Sequence, residues 1–171
     1  MRFLVVSDSH GRYERLESLI SMHRNIDALI FLGDGISDLD RADAYSRGFT
    51  IFSVKGNCDG LSFFGRGRAE EECSFSLGGY KFLIMHGHTR GVKHSLTGAI
   101  YAAREAEADL LLFGHTHEPL EKYIPANEEN GLDKPLYLFN PGSLGSSGDG
   151  YGHFGLIEIR DNGILLSHGK I

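Results

Sequence analysis

Acidic, amide and imidazole side chains recur along this sequence, and each of them closely follows a short apolar run. Two carboxylates, one amide and four imidazoles form the set: Asp8, His10, Asp34, Asn57, His86, His115 and His117. A mixture of nitrogen and oxygen donors suits Mn²⁺, Fe, Co²⁺, Ni²⁺ or Zn²⁺ better than Ca²⁺ or Mg²⁺, which prefer oxygen alone. Seven ligands are too many for one ion that keeps open positions. They fit two ions about 3.5–4 Å apart that share a bridging carboxylate.

Each of these motifs, taken alone, has a simpler interpretation as turn chemistry. An Asp that follows a strand often caps the next helix, and this is the alternative for Asp34. The Gly-His-Thr-His segment that ends at His117 is a stronger indication, because alternating histidines in such a segment rarely have a structural reason. Five groups in chain order, each at the end of an apolar run, favour a metal site over unrelated turns.

The apolar runs that precede these groups are typical of strands covered on both faces. Such runs occupy residues 3–7, 28–32 and 49–54, and helical periodicity over 12–23 and 37–48 separates them. This β-α-β-α-β order predicts right-handed crossovers in a parallel sheet. Because the carboxyl ends of parallel strands meet at one edge, groups that are far apart in the sequence can converge there.

The second part of the chain is richer in strands. Residues 72–87 contain two runs joined by a Gly-Gly pair, which is the pattern of a β-hairpin. Helical periodicity spans 95–108, another apolar run covers 109–113, and an Asp-Asn-Gly turn near the end predicts a second hairpin. The sequence contains no linker and no internal repeat. We therefore expect a single α/β domain over residues 1–171.

Composition limits the classes of partner. The chain has 171 residues, 41% of them hydrophobic, and a net charge of −6, as a soluble globular protein does. An acidic balance argues against general nucleic-acid binding, which needs a basic face, but bound metal ions can still attract an anionic substrate. The apolar run after Met1 is too short to cross a bilayer. We expect no membrane partner and a cytoplasmic location, and a homo-oligomer is compatible with the sequence.

The order Asp-x-His, Gly-Asp, Gly-Asn, Gly-His and Gly-His-x-His resembles the calcineurin-like metallophosphoesterase superfamily. More narrowly, the chain is similar to small bacterial and archaeal phosphodiesterases of the YfcE type, whose eukaryotic relative is the retromer subunit Vps29. The resemblance covers essentially the whole chain and includes the segment Asn-Pro-Gly-Ser-Leu-Gly at 140–145. It implies a four-layer α/β/β/α sandwich of two mixed sheets.

The resemblance also implies a role for each member of the polar set. One ion would be held by Asp8, His10 and His117, the second by Asn57, His86 and His115, and Asp34 would bridge them. The implied activity is hydrolysis of a small phosphodiester, in which a hydroxide bridging the ions attacks phosphorus while the metals hold the non-bridging oxygens. Mn²⁺ and Ni²⁺ are the ions we expect to support activity, and Fe, Co²⁺ and Zn²⁺ also fit the ligands.

Cys58 departs from the pattern of the wider superfamily, which commonly has a histidine there, thought to contact phosphate and protonate the leaving group. The YfcE-like branch has Cys at this position, so Cys58 favours that branch and argues against efficient monoester hydrolysis. Two alternatives stay open, a Vps29-like protein-binding scaffold and a phosphomonoesterase. A scaffold has no reason to keep every ligand, and this chain keeps all seven.

Further residues are candidates for contact with the substrate or for support of the ligands. His88 follows His86 closely, and Arg66 and Arg68 lie on a glycine-rich segment after Cys58. For these residues, as for Cys58, the alternative is a surface or turn role without substrate contact. Asp59 is expected to accept hydrogen bonds from a ligand histidine or from the backbone of the turn.

Overall fold

The strand–helix alternation predicted for the first third of the chain is present in the computed structural model, which describes residues 1–60, 70–127, 131–145 and 147–171. The strands are β1 Arg2–Val6, β2 Ala28–Phe31, β3 Thr50–Ser53, β4 Glu72–Leu77, β5 Tyr80–Met85, β6 Leu110–Phe113, β7 Leu120–Ile124, β8 Leu136–Asn140, β9 His153–Arg160 and β10 Gly163–Lys170. The helices are α1 Tyr13–Met22, α2 Ser37–Arg41 and α3 Thr97–Glu105, and short 3₁₀ turns span Ala44–Ser46 and His88–Arg90.

The strands form two mixed sheets of five strands each. The first has the order β10-β9-β1-β2-β3, and the second has the order β4-β5-β6-β8-β7. Strands β1, β2 and β3 are parallel, as are β5, β6 and β8, while the remaining strands pair antiparallel to their neighbours. Both hairpins predicted from the sequence, β4–β5 and β9–β10, are present.

Three apolar clusters separate four layers of structure. One cluster lies between the sheets and joins β1 and β2 to β5, β6 and β8. A second lies between the first sheet and the helices α1 and α2, and a third lies between the second sheet and α3. The α/β/β/α sandwich implied by the family resemblance is therefore confirmed.

Strand β1 shows why its sequence is apolar at successive positions. Phe3 and Val5 point into the cluster between the sheets, whereas Leu4 and Val6 point toward the helices, and all four are fully buried. The ring of Phe3 meets the ring of Phe82 from the other sheet edge-on, with centroids 5.9 Å apart. Burial on both faces explains why the central strands lack the alternation of a half-exposed strand.

The carboxyl ends of the parallel strands of both sheets meet at one edge of the sandwich. Leu32, which follows β2, accepts a hydrogen bond across the two sheets from Nδ1 of His86, which follows β5, at 2.7 Å. The backbone N–H of His115, after β6, donates to Oδ2 of Asp8, after β1, at 3.0 Å. The loops that carry the polar groups of the two sheets are thus in direct contact.

Two local features differ from the sequence pattern. Helical structure over 37–48 is divided into α2 and a 3₁₀ turn, because Asp43 adopts φ +50° and interrupts the helix. Strand β7 is not evident from the sequence, since it lies at the edge of its sheet and its three central residues are exposed, so no apolar run marks it. In the described part of the chain, no helix combines the length and the hydropathy needed to cross a bilayer.

Candidate metal centre

All seven side chains predicted as metal ligands lie in loops that leave the carboxyl ends of strands. The loop after β1 carries Asp8 and His10, the loops after β2 and β3 carry Asp34 and Asn57, and the loops after β5 and β6 carry His86 and the two histidines of the Gly-His-Thr-His turn. The structure brings these seven side chains together at the single edge described above.

Most of these residues adopt a backbone conformation that L-amino acids rarely occupy. Seven non-glycine residues among those described have a positive φ, and five of them belong to the predicted set: Asp8 at 53°, His10 at 46°, Asp34 at 56°, His115 at 67° and His117 at 63°. The left-handed conformation costs about 1–2 kcal/mol per non-glycine residue. Strain of this kind clusters at functional sites, where the surrounding structure enforces it.

Asp8, His10 and His117 form one cluster, which we call the Asp8 group. Asp8 is fully buried, and its Oδ2 accepts hydrogen bonds from Ser7 Oγ at 2.5 Å and from the His115 backbone at 3.0 Å. Its Oδ1 lies 3.1 Å from His117 Nε2 but outside hydrogen-bonding geometry, so no described group satisfies it. A buried carboxylate oxygen without a partner is costly, and a cation between the two atoms would remove that cost.

Asp34, Asn57, His86 and His115 form the second cluster, the His86 group. The Nε2 atom of His86 lies 3.4 Å from Asp34 Oδ2 and 3.2 Å from Asn57 Oδ1. The His115 ring lies 4.9 Å from the His86 ring, and its ligand atom groups with those of Asp34 and His86. Because Nδ1 of His86 donates to the Leu32 carbonyl, Nε2 is the ring nitrogen that faces this cluster, as in histidines that bind metal.

Asp34 lies between the two groups. Its Oδ2 is 3.4 Å from His86 Nε2 and 4.0 Å from His10 Nε2. Burial alone would raise the pKa of Asp34, but hydrogen bonds with His86 and Cys58 outweigh burial and hold that pKa well below its usual range. Asp34 is therefore an anion in a position where it faces both groups.

The histidines of the site have pKa values displaced in opposite directions. The adjacent carboxylate of Asp8 raises the pKa of His117. Burial acts to lower the pKa of His86, but the carboxylates of Asp34 and Asp8 outweigh it and raise that pKa. Burial and the neighbouring His86 lower the pKa of His115 to about 4. The two carboxylates thus attract positive charge into the site. The donor set and the unsatisfied oxygen of Asp8 fit divalent transition-metal ions.

Asp59 supports the loop that carries Asp34. Its Oδ2 accepts backbone N–H bonds from Asp34 at 2.7 Å and Gly56 at 2.8 Å, and its Oδ1 accepts them from Gly35 at 2.8 Å and Ile36 at 2.9 Å. The sequence led us to expect that Asp59 accepts hydrogen bonds from a ligand histidine or from the backbone of the turn. Among the described residues, Asp59 bonds to the backbone.

The candidates for substrate contact are distributed unevenly. Cys58 is exposed beside the site, its N–H donates to Asp34 Oδ1 at 2.7 Å, and the hydrogen bond between its thiol and Asp34 raises the Cys58 pKa to about 11. His88 lies with its ring 5.4 Å from that of His86, burial lowers its pKa, and its Nδ1 has no partner in the described chain. Arg66 and Arg68 lie outside the described residues.

Sequence reasoning missed two buried polar residues that hold ligand loops. Asp38 in α2 accepts hydrogen bonds from Ser9 Oγ at 2.6 Å and from the Gly11 N–H at 2.9 Å, on either side of His10. Asn140, at the end of β8, donates to the turn that carries His115. The available signals were an acidic residue on the buried side of a helix and an amide at the end of another apolar strand.

A model of the calcineurin-like phosphoesterase superfamily domain matches residues 1–162. The chain belongs to this superfamily, and membership supports metal-dependent hydrolysis of phosphoesters. Among curated proteins, it is 36% identical over 145 residues to the "Probable metallophosphoesterase YsnB" of Bacillus subtilis strain 168, which covers 84% of this chain and 75% of that protein. It is 29% identical over 147 residues to a Mycoplasma genitalium protein named "Probable metallophosphoesterase MG207", covering 84% and 77% of the two chains.

Solved structures share the fold. The phosphoesterase YfcE from E. coli superposes with a TM-score of 0.64 and 19% identity, covering 100% of this chain and 98% of that one. An archaeal phosphodiesterase superposes with a TM-score of 0.73 and 18% identity over the whole of both chains. Vps29 of Entamoeba histolytica, in a complex with zinc, gives a TM-score of 0.64 and 21% identity over 99% of each chain. The resemblance noted in the sequence is thus confirmed.

Proposed function

We propose that this protein is a phosphodiesterase that hydrolyses a small phosphodiester with the help of two divalent transition-metal ions, Mn²⁺ or Ni²⁺ in particular. One observation carries the proposal. The ligand atoms of the Asp8 group and of the cluster Asp34, His86 and His115 each lie within 4.8 Å of one another, and Asp34 faces both groups. Metal-dependent phosphoester hydrolysis is the activity of the superfamily, and two ions and a diester substrate are our extension of it.

The residues present would hold the ions in two sets. Asp8, His10 and His117 would bind one ion, Asn57, His86 and His115 would bind the other, and the Asp34 carboxylate would bind both. Such a pair of ions supplies activated water and neutralises the charge on phosphate oxygens. The seven ligands are therefore the residues on which we expect catalysis to depend.

The chain itself contributes orientation. The Leu32 carbonyl holds the His86 ring by its Nδ1, so that Nε2 is left to face the site. The Cys58 N–H and the four N–H groups bound by Asp59 keep the Asp34 loop in place. A substrate phosphate that enters from the exposed side would meet His10 and Asn57 first, since these are the exposed members of the seven proposed ligands.

Cys58 favours a diester over a monoester. A neutral thiol lacks the positive charge and the ring of an imidazolium, so it offers little attraction to the second negative charge of a monoester. It is also a weak substitute for a general acid, which typically contributes about 10²–10⁴-fold to a rate. Diesters whose leaving groups need no proton are therefore the substrates that we expect to react fastest.

A protein-binding scaffold is the second candidate, because Vps29 proteins share this fold and a fold does not determine function. The complete set of seven candidate ligands argues for the enzyme. The strained backbone at five of them argues the same way, since a scaffold gains nothing from enforcing it.

The test compares bis(p-nitrophenyl) phosphate with p-nitrophenyl phosphate after loading the protein with Mn²⁺ or Ni²⁺. We expect metal-dependent hydrolysis that favours the diester, and we expect it to be lost in His117→Ala. His23→Ala is the matched control, because His23 follows α1 and packs against Phe154 away from the ligand loops. Wild-type diester hydrolysis in His117→Ala would contradict the catalytic proposal. Equal rates on both substrates would contradict diester preference.

A further inference from the structure

We infer that Asn140 is a positioning residue for the metal centre, which holds the Gly-His-Thr-His turn so that both of its histidines face ligands of the other sheet. The inference rests on the proposed function, since it concerns the same site. Asn140 is the last residue of β8 and is fully buried. Strand β8 supplies none of the seven predicted ligands, although it pairs parallel to β6, the central strand of its sheet.

The amide of Asn140 is oriented by contacts of two kinds. Its Nδ2 donates to the Gly114 carbonyl and to Thr116 Oγ1, both at 3.0 Å, and its Oδ1 accepts the Gly142 N–H at 2.9 Å. Both donors therefore point at the turn, and the acceptor points back at the chain that follows β8. A carboxylate would have the same shape, but it could not donate to the Gly114 carbonyl.

The turn needs such support because of its backbone. His115 and His117 have φ of 67° and 63°, a conformation that persists only where the surroundings enforce it. The contacts of Asn140 with Gly114 and Thr116 bracket His115 on both sides. On the opposite side of the turn, the His115 N–H donates to Asp8. The turn is thus held between an amide of its own sheet and a carboxylate of the other.

The segment that begins at Asn140 also contacts the loop of the other sheet. The N–H groups of Leu144 and Gly145 donate to the carbonyls of Ser7 and Asp8, both at 2.9 Å. A Cβ atom at position 145 would lie 2.4 Å from the Ser9 carbonyl oxygen, so only glycine fits this approach. Residues 140–145 therefore connect the loop of Asp8 to the turn of His117, the two residues whose ligand atoms lie 3.1 Å apart.

The experiment measures Mn²⁺ binding to the metal-free full-length chain by isothermal titration calorimetry, together with the absorption spectrum of the Co²⁺ form. We expect Asn140→Asp to weaken Mn²⁺ binding by about 10–100-fold, the usual effect of removing a group that orients metal ligands, and to change the Co²⁺ spectrum. His168→Phe is the control. It removes a 2.8 Å hydrogen bond to the Asn140 carbonyl but keeps a ring against Phe139, so we expect wild-type affinity.

A second pair of variants covers the case in which Asn140→Asp does not fold, as judged by circular dichroism. Thr116→Val removes the hydroxyl that accepts from Asn140, whereas Thr116→Ser keeps it, and we expect weaker binding only in the valine variant. Lower thermal stability with unchanged Mn²⁺ affinity in Asn140→Asp, or in Thr116→Val, would overturn the positioning role and leave the proposed function intact. A wild-type protein that binds no Mn²⁺ would overturn both.

Discussion

In the Asp8 group the buried member is a carboxylate and the imidazoles lie near the surface, whereas in the His86 group the innermost member is an imidazole. The side chains of His10 and His117 are 32% and 37% exposed, while that of His86 is not exposed at all. The two groups stand at the same edge of the sandwich, yet their candidate ligands come from loops with different support.

This difference in support predicts which of the two groups binds a metal ion more tightly. In the His86 group, protein groups already hold two candidate ligands, since the Leu32 carbonyl fixes His86 and the Cys58 N–H binds Asp34. In the Asp8 group, the rings of His10 and His117 contact each other with their Nε2 atoms 3.3 Å apart, and Asp8 Oδ1 has no hydrogen-bond donor among the described residues. Ligands held in advance bind with less loss of freedom, so we expect tighter metal binding by the His86 group.

The largest effect should come from the buried imidazole. We expect His86→Ala to reduce diester hydrolysis by at least about 100-fold, the upper end of the effects seen when ligand support is removed, because a ligand itself is lost. His10→Ala should retain more of the metal than His86→Ala when both variants are dialysed against a mild chelator. If His10→Ala lost its metal more readily than His86→Ala, the comparison between the two groups would be wrong.

Asp59→Asn should have the next largest effect, because it tests the support of the His86 group without removing a ligand. The amide nitrogen of Asn cannot accept, so two of the four N–H bonds to this side chain are lost. We expect about 10–100-fold weaker metal binding and a loss of about 1–3 kcal/mol in the free energy of unfolding for each buried N–H left unsatisfied. Calorimetry and urea unfolding measure the two quantities.

Asp27→Ala is the control for that variant. The Asp27 carboxylate also accepts a backbone N–H bond, from Arg2 at 2.7 Å, but at the start of β1, away from the ligand loops. Alanine removes this acceptor, so the variant should lose stability without losing metal affinity. An Asp59→Asn variant that lost stability but kept wild-type metal affinity, as we expect of Asp27→Ala, would show that Asp59 stabilises the fold and does not support the site.

The smallest effect concerns Cys58, which borders the His86 group. We expect rates of wild-type diester hydrolysis to fall steeply as the pKa of the leaving group rises, because the thiol is a poor proton donor. Cys58→His should flatten this dependence, since a positioned general acid contributes about 10²–10⁴-fold for basic leaving groups. The measurement is the slope of log rate against leaving-group pKa, with His88→Ala in the same series. A shallow slope in both wild type and His88→Ala would mean that another acid is present.

Local patterns in the sequence predicted the parallel strands and the position of the loops that follow them, whereas the two-sheet sandwich was implied by the family resemblance. Apolar runs with both faces buried define β1, β2 and β6, and a polar group after each run must lie at the carboxyl edge. The edge strand β7 could not be predicted, since its exposed residues give no apolar signal. The break in helical structure at Asp43 was also hidden, because a positive φ at a non-glycine residue depends on the surrounding structure.

Within the site, too, features that follow from local sequence could be predicted, and features that depend on distant contacts could not. Ligand types such as Asp8 and His117 are visible in the sequence because their chemistry and spacing are unusual. The supporting residues are not, because Asp38 and Asn140 are common residue types whose role depends on contacts with distant segments. From the sequence, Asp59 could accept hydrogen bonds either from a ligand histidine or from the backbone of the turn. Its four backbone bonds depend on the folded positions of two loops, which the sequence does not specify.

The central claim is that two ions share Asp34, and elemental analysis of the Mn²⁺-loaded protein tests it most directly. Asp34 Oδ2 faces His86 Nε2 at 3.4 Å and His10 Nε2 at 4.0 Å, so one carboxylate contacts both groups. We predict two ions per chain in the wild type and a loss from both sites in Asp34→Ala, whereas His10→Ala should lose the ion of the Asp8 group alone. A single ion in the wild type, with an unchanged metal content in Asp34→Ala, would contradict the account.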